Sequence, residues 1–215
     1  MAITIKSLSH AGFQIKTKDR NVYIDLEEHG KPSEKADLIL VTHSHTDHCD
    51  LPKIKKVRKE DTVVIAPADC VSKIGGDVKT LRPGEETTID NVTVKAVDAY
   101  NCKRFRSPGN PFHPKGFGVG YLITIEGKKI YHAGDTDFIP EMRQVGHVDV
   151  ALLPTGDTYT MDNDEAALAA VAINPKTVIP MHSWNTNPED FKKKVEANSK
   201  INVQILRVDE EYNIC

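Results

Sequence analysis

The chain has 215 residues, enough to bury a sizeable core, and its 39% hydrophobic and 27% charged residues are ordinary globular usage, which excludes a disordered chain. Its 28 Lys and Arg against 31 Asp and Glu leave a formal charge of −3, and aromatic residues make up only 6%, so neither nucleic acid nor an anionic membrane is expected as a partner. No apolar run reaches the roughly 18 residues of a membrane span, the N-terminus alternates like a strand, and Cys49, Cys70, Cys102 and Cys215 form no C-x-x-C pair; a cytoplasmic, reducing setting is expected.

Residues 2–8 alternate apolar and polar, and Ala11-Gly12 breaks the run. Phe13–Thr17 alternates again, Lys18–Asn21 reads as a turn, and Val22–Leu26 as the next strand, giving an antiparallel meander. His10 in the first turn reads as a capping or solvated histidine. Asp25 at a strand end reads either as a turn residue or as an acceptor that orients a ligand histidine.

The apolar run Ala36–Thr42 predicts a buried strand that ends at His43-Ser44-His45-Thr46-Asp47-His48. Four potential metal ligands lie within these six residues. Imidazole nitrogens and a carboxylate suit zinc and other first-row divalent ions. His43 and His45 alternate along the chain and can serve one ion. Asp47 and His48, beyond the strand end, can turn toward a second.

Leu51–Val57 predicts a short helix, Thr62–Ala66 a strand, and Pro67 the first turn of a helix closed by Gly75-Gly76. Strands follow near Val78–Leu81, at Glu86–Ile89 and at Val92–Val97. Residues 98–116 hold three prolines and two glycines, so no regular structure is expected there. Long ordered loops tend to be functional. This one carries His113 as a ligand candidate and Arg104, Arg106 and Lys115 as cations facing an anionic small-molecule substrate.

A hairpin is expected over Gly118–Glu126 and Lys128–His132, followed by the acidic loop Ala133-Gly134-Asp135-Thr136-Asp137. A short helix at Ile139–Val145, a doubly buried strand at Val148–Leu153, a helix at Ala166–Ile173, and a strand at Lys176–Met181 delivering His182 come next. A helix at Pro188–Glu196 and a last strand at Val203–Leu206 complete the reading. It describes one α+β domain over residues 1–215, with two sheets and outer helices. Asp135 and His182, at strand ends, join the ligand candidates, and two metal ions suit this donor set better than one.

H-x-H-x-D-H after a buried strand, the later Gly134-Asp135-Thr136 and the terminal His182 resemble the metallo-β-lactamase superfamily. Leu8–Phe13, Tyr131–Thr136 and Ile179–His182 extend the likeness over most of the chain. They are similar to its compact hydrolases, among them the ascorbate-phosphate lactonase and the N-acyl-phosphatidylethanolamine phospholipase D. The resemblance implies an αββα sandwich of two mixed sheets flanked by helices, with a dinuclear site at one edge. It implies His43 and His45 at the first ion, Asp47, His48 and His182 at the second, and Asp135 bridging. A third histidine is implied after the strand at Val92–Val97, where this chain reads Ala99-Tyr100-Asn101. His113, Asn101 or water would complete that shell.

The implied function is hydrolysis of a small ester, lactone or phosphodiester by a metal-bridging hydroxide, formed because the cations lower the pKa of water. Zinc is expected, with manganese, iron or nickel as alternatives. Asp47 would orient the nucleophile, and His132, next to the acidic loop, reads either as a half-buried strand histidine or as a group that supports a ligand or donates a proton. The alternatives are a non-catalytic or mono-metal member of the family and a di-iron redox protein, whose usual Glu is replaced here by His45.

Overall fold

The structure is a computed structural model that describes residues 2–27 and 31–214. The chain forms two compact units, Met1–Arg82 with Leu206–Cys215, and Pro83–Ile205. Each is built on one seven-stranded mixed sheet.

In the first unit β1 (Ile3–Ser7), β2 (Phe13–Lys16) and β3 (Asn21–Ile24) form the antiparallel meander that the alternation predicts. The sheet then becomes parallel through β4 (Leu38–Leu40), β5 (Val63–Ala66) and β6 (Lys79–Thr80). Parallel neighbours need crossovers, which α1 (Leu51–Val57) and α2 (Ala68–Ile74) supply. The side chain of Asp50 accepts the Lys53 N–H to cap α1, and Pro52 occupies its first turn, where no N–H is needed. Ile54 and Val57 of α1 and Cys70 and Ile74 of α2 bury against Tyr23, Ile39, Val41 and Val64. Glu211–Ile214 pairs antiparallel with β1 at the other edge. The sequence reading misses this strand because only Ile214 of its four residues is buried, so no apolar pattern marks it.

In the second unit β7 (Glu86–Ile89), β8 (Val92–Ala99), a ribbon of β9 (Phe105–Ser107) and β10 (Asn110–Pro111), β11 (Gly118–Ile125) and β12 (Lys128–His132) come first. Then follow β13 (Val150–Pro154), α3 (Asn163–Ile173), β14 (Thr177–Met181), α4 (Pro188–Asn198) and β15 (Asn202–Val203). The sheet order is β15-β14-β13-β12-β11-β8-β7, parallel from β12 to β15 and antiparallel from β12 to β7. β13 and β14 are buried at every position, the pattern of strands covered on both faces. Ala166, Ala169 and Ala170 of α3 and Phe191 and Val195 of α4 pack with Tyr131, Ala151, Leu153 and Val178. The small alanines let the helix lie close.

Two expectations fail locally. The helix at Ile139–Val145 is a 3-10 turn over Pro140–Gln144, too short to accumulate α-helical hydrogen bonds. Residues 98–116 are not devoid of regular structure. β9 and β10 pair antiparallel, with a bulge at Asn110/Pro111 that accommodates the proline. Among the described residues no helix is long and apolar enough to cross a membrane.

Candidate metal centre

In the first unit, parallel pairing sets Ile24 of β3 opposite Leu40 of β4. The next residues, Asp25 and Val41-Thr42, therefore leave the two strands side by side, with the Asp25 N–H donating to the Leu40 carbonyl at 3.0 Å. Asp25 is fully buried. One of its oxygens accepts the Thr42 N–H at 2.8 Å; the other accepts the Thr42 hydroxyl at 2.7 Å and His48 Nδ1 at 2.8 Å. An ionised carboxylate only accepts, so His48 Nδ1 carries the proton and Nε2 is the atom left for a cation. The same logic runs through Thr42. Its hydroxyl proton goes to Asp25, so it accepts from His43 Nδ1 at 3.0 Å, and His43 presents Nε2. Of the two readings of Asp25, the geometry favours the acceptor, since its carboxylate orients the His48 ring.

His43 Nε2 lies 3.0 Å from His45 Nδ1. Two nitrogens on one tetrahedral zinc, with bonds of about 2.0–2.1 Å, would stand about 3.3 Å apart. Beyond them Asp47 Oδ2 is 3.7 Å from His48 Nε2 and 3.6 Å from His10 Nε2. His10 is the residue that sequence reasoning underrated. Its Nδ1 is held at 2.5 Å by Glu27, and its ring meets that of His48 edge-on, with centroids 5.3 Å apart. Burial alone would depress the His10 pKa, but the Asp47 and Glu27 carboxylates outweigh it and raise the value. Burial would raise Glu27, and His10 pulls it below the usual carboxylate range instead. The turn that carries His10 depends on Gly12, where a Cβ would stand 2.4 Å from the Asp25 carbonyl oxygen. The signal in the sequence was this glycine two residues after a turn histidine.

In the second unit, the parallel register sets His132 opposite Leu152 and Pro154 opposite Met181. Asp135 and His182 thus follow the carboxyl ends of β12 and β14, the two strands that flank β13 in the parallel half-sheet, where α/β folds gather their ligands. His182 Nε2 and His113 Nε2 approach the same oxygen of Asp135, at 3.3 and 3.5 Å. All three are almost fully buried. His182 has a positive φ of 53°, and Gly156 makes room for its carbonyl, which a Cβ there would meet at 2.2 Å. A left-handed conformation at a non-glycine residue costs on the order of 1–3 kcal/mol and needs support from its surroundings.

Asn101 is a holder of His113. Its Oδ1 accepts the His113 backbone N–H at 2.9 Å and His113 Nδ1 at 2.8 Å, while its Nδ2 donates to Asp137 at 3.1 Å and to the Tyr159 carbonyl at 3.0 Å. With its amide so engaged, Asn101 fixes the tautomer of His113 and turns Nε2 toward Asp135.

Four other candidates occupy different surroundings. His132 is fully buried, its Nδ1 accepts the Gly134 N–H at 3.2 Å, and it belongs to no cluster of ligand atoms among the described residues. Arg104 is engaged by the protein's own acids: its guanidinium donates to Asp137 at 2.8 Å and Glu165 at 2.6 Å, and to the Asp157 carbonyl. Lys115 pairs with Glu141 at 2.7 Å and lies over the Tyr100 ring. Arg106 lies over the Phe112 ring, 5.1 Å from its centroid, and is exposed.

This geometry can be set beside known proteins. The description "Beta-lactamase superfamily domain" matches residues 4–182. A UPF0173 metal-dependent hydrolase of Pelotomaculum thermopropionicum is 34% identical, over 96% of this chain and 98% of its own. Another, of Thermococcus kodakarensis, is 36% identical over 99% of this chain and 100% of its own. Among solved structures, one from Parabacteroides distasonis, named as a metal-dependent hydrolase, shares 34% identity and a TM-score of 0.89, over 96% of this chain and 93% of its own. Igni18, a metallo hydrolase of Ignicoccus hospitalis, shares 25% identity and a TM-score of 0.82, over 99% of this chain and 98% of its own. The α+β architecture of two mixed sheets with flanking helices is that of the metallo-β-lactamase fold, and the chain belongs to the β-lactamase superfamily, in its UPF0173 family of metal-dependent hydrolases.

Proposed function

We propose that the chain is a dinuclear metal-dependent hydrolase of small esters, lactones or phosphodiesters. The observation that carries the reading is the tying of three histidines at Nδ1: His43 by Thr42, His48 by Asp25 and His113 by Asn101. Histidines that bind metal through one nitrogen are oriented in this way through the other. His43, His45 and His113 would hold one ion, Asp47, His48 and His182 the second, and Asp135 both. All are N and O donors, which zinc accepts and which also suit manganese, iron or nickel. When bound, two such cations supply hydroxide at neutral pH and polarise the oxygen that gains charge. The chain's own contribution is to keep His43, His48 and His113 each in one tautomer and to bury them, so that little rearrangement accompanies reaction. Asp47, a third exposed, is the carboxylate with access to an incoming water. Arg106 is the cation of its loop that suits an anionic substrate group. Unbridged Cys49, Cys70 and Cys102 agree with a cytoplasmic setting.

Metal analysis of the purified protein, followed by a panel of phosphodiesters, lactones and thioesters, tests the reading. Two equivalents and metal-dependent turnover are expected, with one equivalent lost in His113→Ala and activity lost in His45→Ala. One equivalent without turnover would favour the mono-metal alternative, and bound iron with a redox-dependent absorption the di-iron one.

A further inference from the structure

Beyond His182 the chain continues as Ser183-Trp184, and Trp184 is the only tryptophan in the sequence. Its ring lies against that of His182, with centroids 4.5 Å apart and planes inclined by 44°. It meets Tyr159 edge-on at 6.2 Å, and Tyr159 meets Phe112 edge-on at 4.8 Å. The guanidinium of Arg106 lies over Phe112. A continuous row of rings thus runs from the face of a ligand histidine to a cation.

The row is exposed where most large aromatics are not. Trp184 is 51% exposed and Tyr159 37%, whereas Tyr121, Tyr131 and Phe191 of the same unit are fully buried. Aromatic area gains most when buried, yet hydrogen bonds on either side of Trp184 tie this segment in place. The Thr155 and Ser183 hydroxyls meet at 2.6 Å, Thr186 Oγ1 donates to the Thr155 carbonyl at 2.6 Å, and Asn185 Nδ2 donates to Thr158 at 2.9 Å. The rings are held outward beside His182, at the position from which a group bound at Asp135 and His182 would be flanked.

We propose that Trp184, Tyr159 and Phe112 form a recognition platform for substrates bearing an aryl or similar planar apolar group next to the scissile bond, with Arg106 receiving a negative charge at the far end. Edge-to-face and offset ring contacts reward such a group beyond its area, and the Arg106 guanidinium adds charge recognition. The inference rests on the hydrolase reading, because that reading puts the reacting atoms beside His182.

The test compares phenylphosphonate with methylphosphonate on the metal-loaded protein, by isothermal calorimetry and by the emission of the sole tryptophan. Phenylphosphonate should bind about tenfold or more tightly and shift Trp184 emission saturably. The double variant Trp184→Ala, Tyr159→Ala should bring the two affinities within about twofold, with metal content and methylphosphonate binding unchanged. Equal affinities in the unaltered protein, or a preference that survives the double variant, would overturn the platform. Turnover on the activity panel separates the two ideas: turnover without aryl preference sinks the platform alone, while aryl preference without metal-dependent turnover sinks the hydrolase reading and leaves an aryl-binding site.

Discussion

Asp25 Oδ2 stands 2.8 Å from His48 Nδ1, and both side chains are completely buried. The pair is therefore insulated from water, and the carboxylate decides which nitrogen of His48 is available. Asp25→Asn keeps the volume but replaces one acceptor oxygen with a donor. Metal affinity should fall roughly 10–100-fold, read by competition with a chromophoric chelator. Circular dichroism of the variant should show the folded state. Unchanged metal affinity in a folded Asp25→Asn would rule out the orienting role.

Arg104 and Arg106, two residues apart, have separable tasks. Arg104 sits at 11% side-chain exposure between Asp137 and Glu165, which are themselves buried. Deleting its charge takes the guanidinium from buried Asp137 and leaves Glu165 with Lys103, at 3.0 Å, as its remaining cation, so Arg104→Ala should lose on the order of 3–5 kcal/mol of stability in urea unfolding. Arg106→Ala should leave the unfolding free energy within about 0.5 kcal/mol and raise KM for anionic substrates only. A stable Arg104→Ala with a raised KM would return Arg104 to the substrate.

Asp149 provides the pH dependence. Burial would raise its pKa, but Lys176 Nζ at 2.8 Å and the Lys129 N–H at 2.9 Å hold it below the usual Asp range. A carboxylate whose folded pKa is depressed stabilises the protein above its unfolded pKa and loses that contribution as pH falls through the folded value. The stability advantage of the unaltered protein over Asp149→Asn should thus be full at pH 7 and shrink as the solution is acidified below the ordinary Asp range. Thermal unfolding midpoints of both proteins across that interval measure it. A gap that widened on acidification would contradict the assigned direction.

Much of the fold was legible because it rests on local patterns. The meander, α1, the hairpin of β11 and β12, and the buried strand before the histidine cluster follow from apolar periodicity and from proline and glycine positions. What escaped has equally local reasons. Glu211–Ile214 buries one residue in four and is a strand only because β1 offers its edge. The ribbon of β9 and β10 sits among prolines and is bought by pairing alone. His10 looked like any turn histidine until Glu27 and Asp47 were found beside it.

The residue types and their spacing determined by themselves that metal chemistry belongs here: no other use of His43, His45, Asp47 and His48 within six residues explains the donor set as well. Only the tertiary structure decided which neighbours each of these side chains meets. Parallel register brings Asp25 to Thr42 and His48, and the same register logic sets Asp135 beside His182. Asn101, standing where a ligand was expected, became the residue that aims His113. Arg104, which looked free to meet a substrate, was spent on Asp137 and Glu165. Spacing fixes which atoms a chain carries and in what order; the proton on each imidazole and the partner of each charge depend on neighbours brought in by pairing between strands, which no local pattern encodes.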